Sequence, residues 1–162
     1  MKYIFQDTDL MGECEYDITA DDYFDLLSIC FRYCSSISFR VAKSIASDPL
    51  LKKLAPFRIP IERYVFDAYS HYDHLNDCVY EIHHYRLCPE SREIISCVAQ
   101  SIFSWIFGWG YKNPEDPVFY RKDGSPLFSS VIHEGICALS PREDEDVSNI
   151  VSQPNWICVD VF

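Results

Sequence analysis

Residues 94–111, IISCVAQSIFSWIFGWGY, form an eighteen-residue run without a formal charge, and this run most constrains what the chain can become. Its length approaches the ~20 apolar residues of a membrane-spanning helix. Its pattern does not. Ser96, Gln100 and Ser104 recur every four residues, while Ile95, Val98, Ala99, Ile102 and Ile106 fall at the offsets of one helical face. One apolar stripe beside one polar stripe describes a helix lying on a core, so the spacing predicts a soluble amphipathic helix. Pro89 opens it and Gly108 and Gly110 stop it.

That reading requires a core for the helix to lie on, and the composition supplies one. Of 162 residues, 48% are hydrophobic and 24% charged, which excludes collagen-like and disordered classes. A chain of this length is expected to be a single domain over residues 1–162 that buries about 70% of its unfolded surface, with no need of metal or disulfide staples. No repeat or long flexible linker marks a boundary. The N-terminus lacks the apolar stretch of a signal peptide, so the eight cysteines are expected as reduced thiols of a cytoplasmic protein.

Other segments alternate between strand and helix. Residues 2–5 read as a first strand. Thr19 is placed to cap a helix whose first turn carries Asp21 and Asp22, and Tyr23, Leu27, Cys30 and Cys34 share one side of it. Ile37, Phe39 and Val41 alternate with Ser36, Ser38 and Arg40, which favours a strand over continued helix. Residues 50–54 suggest a short helical turn, 79–87 and 135–139 suggest strands, and Asp123-Gly124 marks a hairpin between 118–120 and 127–128. Ser140, Pro141 and Glu143 together make a capping box, which predicts a helix to about Ser152. Residues 156–161 return as a last strand. Without regular βαβ spacing the expected class is α+β, a mixed or antiparallel sheet with about three amphipathic helices.

No chemical motif survives scrutiny. His71, His74, Cys78, His84 and Cys88 have fragments of zinc-ligand spacing, but a strand over 79–87 separates His84 from Cys88 by about 13 Å, too far for one ion. His133-Glu134 begins a zinc-protease sequence that Cys137 fails to complete. Neither a nucleophile elbow nor a phosphate loop is present. The expectation is therefore no catalytic residue, no cofactor and no metal. A small enzyme using a Cys or His in a pocket is the alternative, because such partners meet in space rather than in sequence.

Charge is more informative. The net charge is −11, opposite to what nucleic-acid binding requires. Residues 1–25 hold eight acids and one base, and residues 114–162 hold nine acids and three bases. Asp7, Asp9, Glu13, Glu15 and Asp17 at one end, and Glu143, Asp144, Glu145 and Asp146 at the other, are the candidate partner-binding residues. Dipole compensation explains part of the second group. Together they suggest an electronegative surface that would speed encounter with a basic protein.

The acidic stretch DTDLMGECEYD, the acidic segment SPREDED and the abundance of aromatics resemble the immunity proteins of bacterial polymorphic-toxin and contact-dependent inhibition systems. The resemblance is one of composition, over much of the chain. It implies a small cytoplasmic protein without catalytic residues that occludes a toxin domain.

Overall fold

A computed structural model describes residues 1–7, 16–42, 48–60, 80–108 and 111–159. Its frame is a seven-stranded antiparallel sheet in the order β3-β2-β6-β7-β8-β1-β9. The strands are β1 (Lys2–Gln6), β2 (Ser36–Ala42), β3 (Tyr80–Arg86), β6 (Glu115–Tyr120), β7 (Pro126–Val131), β8 (Ile136–Leu139) and β9 (Trp156–Val159). A two-stranded ribbon, β4 (Phe107–Gly108) with β5 (Tyr111–Lys112), stands apart. Four helices complete the described residues: α1 (Ala20–Tyr33), α2 (Pro49–Leu54), α3 (Pro89–Ser96) and α4 (Ser148–Val151). The class is the expected α+β, and no helix among these residues is long and apolar enough to cross a membrane.

Alternation in β2 organises the core. Ile37, Phe39 and Val41 enter the main cluster together with Tyr23, Leu26, Leu27 and Cys30 of α1. Trp105 stacks on Phe39 at 4.9 Å and donates its indole N–H to the Tyr23 hydroxyl at 2.9 Å, so the largest buried side chain is also satisfied. The intervening Ser38 and Arg40 take the other side of the sheet and are buried as well. There Ser38 lies 3.1 Å from the Tyr120 hydroxyl, and Val118, Tyr120 and Ile82 form a second, smaller apolar cluster.

Three sequence expectations give way. The long helix does not continue to Ile106: α3 stops at Ser96. Beyond it the backbone is drawn into strand-like pairing, with Ser101 bridging Thr19 and the Ile102 N–H donating to the Ile18 carbonyl at 3.0 Å. Ala99, Ile102, Trp105 and Ile106 still reach the core, so the apolar stripe was real but its helical conformation was not. Gly108 sits in β4 instead of ending a helix. Thr19, held in that bridge, makes no side-chain cap.

The third correction concerns 140–152. Here the helix shrinks to Ser148–Val151, and no Ser140–Glu143 capping box forms. Instead Glu145 accepts the Arg142 N–H at 2.8 Å, while the Ser140 carbonyl accepts from Arg121 at 2.7 Å. An arginine from β6's end has taken the partners that the helix start would have used.

Candidate functional site

The nine acidic residues separate into different environments. Asp9, Glu13 and Glu15 lie outside the described residues, as do His71, His74 and Cys78. Asp7 is half-buried against Gly135, to whose carbonyl its N–H donates at 2.8 Å. Gly135 has φ +64°, a conformation that favours glycine, and a Cβ there would also force the Asp7 carboxylate to shift. Asp7 is thus a packing residue. Asp17 is exposed and accepts the Phe103 N–H at 3.2 Å.

In the second group Glu143, Asp144 and Asp146 are exposed, but Glu145 is not. Its side chain is 6% exposed and holds Arg121 in a two-pronged ion pair of 2.6 and 2.5 Å. That guanidinium draws the Glu145 carboxyl below its ordinary range. Glu145 therefore leaves the candidate binding surface. The Asp146 N–H donates to the Tyr33 hydroxyl at 3.1 Å, which anchors this segment at the end of α1.

At the other end of α1 stand exposed Asp17, Asp21, Asp22 and Asp25, so exposed acids bracket a helix about 20 Å long. Phe24 lies among them, 46% exposed although α1 turns Tyr23, Leu26, Leu27, Ile29 and Cys30 inward. It lines a groove of about 660 Å³ together with Thr19, Ala20, Cys97, Gln100 and Asn113. Tyr16, 38% exposed, precedes Asp17. Aromatic surface beside carboxylates and an open groove suits the side chains of a basic partner.

A second constellation was not anticipated. Ser38 faces Val118 and Arg40 faces Glu115, so two residues of β6, Asp116 and Pro117, oppose Phe39 alone. This is a β-bulge, which explains how a proline sits in an interior strand. Asp116 takes φ +51° there and is fully buried. Its Oδ1 accepts the Ile132 N–H at 2.7 Å, tying the bulge to the 3-10 turn that carries His133. Glu115, Asp116 and His133 bring potential ligand atoms within 4.8 Å of one another. Arg40 reaches Glu115 at 3.5 Å and Asp116 at 3.7 Å. Burial pushes Asp116 up to about 6, against the opposing pull of the Ile132 N–H and Arg40.

Such a group can hold a proton near neutral pH. Its two carboxylates and imidazole are oxygen and nitrogen donors, but Arg40 already supplies the positive charge between the carboxylates. The sequence signal was Glu-Asp-Pro inside an apolar strand, an arrangement that a strand tolerates only at a bulge.

The described cysteines divide similarly. Cys30, Cys34, Cys88, Cys97, Cys137 and Cys158 are free thiols. Burial raises Cys30 and Cys137 well above the usual thiol range and Cys34 to about 12, which deprives all three of thiolate. His84 is buried beside the Tyr120 ring and pushed down to about 4, first by burial and then by His83. Comparison with known protein families, with curated proteins and with solved structures finds no match to this chain.

Proposed function

We propose that this chain is a non-enzymatic interaction protein, an immunity-type inhibitor that binds a basic protein across α1. The observation that carries this reading is exposed Phe24, which lines the groove at the end of α1 where Asp17, Asp21, Asp22 and Asp25 are also exposed. An aromatic half-exposed beside the helix's inward side, its ring resting against that of Tyr23 at 5.7 Å, offers a contact anchor. The bracketing carboxylates supply the field that steers a cationic partner. Resemblance to immunity proteins makes that partner a toxin domain, and the reading places the pair in the cytoplasm.

The test uses a basic toxin-like protein encoded beside this chain, with its association followed at two salt concentrations. Joint replacement of Asp21, Asp22 and Asp25 by Asn slows association by about tenfold at low salt, and the difference shrinks as salt rises. Phe24→Ala weakens binding by about tenfold or more at either salt. Unchanged rates and affinity in both variants would sink the proposal.

A small enzyme remains the second reading. It rests on Asp116, Glu115 and solvent-facing His133, a buried carboxyl titrating near neutrality next to an imidazole. If this reading is right, the chain turns over a substrate with no toxin present, and His133→Ala abolishes that turnover. If occlusion alone operates, His133→Ala leaves toxin binding and host protection unchanged.

A further inference from the structure

The two edges of the sheet are finished differently. β3 is covered: Arg58 bridges Tyr85, and the Ile59 N–H donates to the His84 carbonyl at 2.9 Å. β9 pairs with β1 through four consecutive residues without a bulge, and among the described residues no backbone group pairs with its outer side. Proteins usually blunt such an edge with charge, proline or a bulge. Trp156-Ile157-Cys158-Val159 carries none of these. Ile157 is 50% exposed and Cys158 is exposed too. As neighbours in a strand they point to opposite faces, so the edge is open on both. Met1, 73% exposed, adds apolar surface just beyond Lys2, which lies opposite Val159.

We infer that β9 pairs antiparallel with β9 of a second copy of this chain, joining two sheets into one. Charge selects this occupant. A surplus of eleven negative charges repels copies of the molecule over most approaches, yet β9 presents four uncharged residues, so pairing here opposes no like charges. A basic partner would gain nothing from charge at such an edge. Self-pairing also satisfies outward N–H and C=O groups reciprocally, as a two-fold interface requires. Directly opposed residues share a face, so a two-fold axis perpendicular to the sheet must set one residue against its own copy. Ile157 or Cys158 is that residue. Four residues per copy fall well short of the ~1,600 Å² standard interface, so the association is a weak, concentration-dependent one.

Sedimentation equilibrium of the full chain in reductant, so that no Cys158 disulfide substitutes for pairing, tests this without any toxin. Between about 5 and 500 µM the mass should climb from one chain toward two. Ile157→Lys and Cys158→Lys should each weaken self-association by at least about tenfold, as edge lysines do. A single chain at the highest concentration overturns the inference, and so does a dimer that neither lysine weakens. Should both variants lose their fold, hydrogen exchange on the wild type decides. Protection of the β9 amides that grows with concentration supports pairing; protection independent of concentration overturns it.

Discussion

Arg121 and Arg40 are both buried arginines facing carboxylates, and they are built to opposite standards. Arg121 fills its donors: two bonds to Glu145, the Pro126 and Ser140 carbonyls at 2.7 Å, and the Ser125 hydroxyl at 3.3 Å. Arg40 stands 3.5 and 3.7 Å from two different carboxylates, and one of these sits at a left-handed backbone position. The titration of the acids follows. Glu145 is held down by its guanidinium, whereas burial outweighs Arg40 and lifts Asp116 to about 6. A two-pronged, fully bonded pair locks a loop to a hairpin; a shared, distant cation leaves a carboxyl that can take up a proton.

The largest expected effect is at the first centre. Glu145→Ala leaves Arg121 with three neutral acceptors and no carboxylate bonded to it, and arginine cannot shed its proton. Stability measured by urea unfolding should fall by about 3–5 kcal/mol. A loss under about 1 kcal/mol, the level of an exposed pair, would erase the contrast.

Arg40→Met should cost less, about 2–3 kcal/mol at pH 7, because a carboxyl can discharge itself where a guanidinium cannot. Lowering the pH to 5 should restore part of the loss, since protonating Asp116 removes one of the two buried charges. A deficit that stays constant between pH 7 and 5 would mean that Asp116 is not the group that responds.

Asp116→Asn is the gentlest and most diagnostic change. Asn tolerates the left-handed backbone and keeps an acceptor for the Ile132 N–H, so stability at pH 7 should rise by about 1 kcal/mol. The pH profile should steepen. Asp116, raised to about 6, contributes stability that is present below its unfolded value and lost as pH rises through 6. His84, lowered from 6.5 to about 4, contributes stability that is present above 6.5 and lost as pH falls toward 4. The two oppose each other between pH 4 and 6. With Asp116 neutralised, His84 is unopposed and His83, also lowered by burial, acts in the same direction, so stability should decline more sharply on acidification than in the wild type. An unaltered slope would refute the assignment. Glu143→Gln and Asp144→Asn, both exposed, serve as controls with changes within about 0.5 kcal/mol.

Much of the fold was readable because period-two alternation survives tertiary packing. β2, β3, β8 and the β6–β7 hairpin fall where alternation and Asp123-Gly124 put them, and α2 covers the helical turn expected over 50–54. What misled was the assumption that an apolar stripe or a cap signature fixes its own conformation. Ala99, Ile102 and Ile106 recur at helical spacing yet reach the core from turns, because Ile18 and Thr19 offered their backbone groups a different set of partners. The acidic surface was half legible: charge can be counted along a chain, but exposure cannot.

The sequence by itself determined the class of the fold, the alternating strands, the inward side of α1 and the acidic excess, since each rests on neighbours within a few residues. Only the tertiary structure decided that Glu145 belongs to Arg121, that a bulge turns Asp116 toward Arg40 and His133, and that β9 is the last strand of the sheet, with no partner on its outer side among the described residues. The physical reason is the same in all three. A buried charge or an unpaired backbone group is settled by whichever partner arrives from far along the chain, and Arg121, Arg40 and β1 lie 24, 76 and more than 150 residues from the groups they meet.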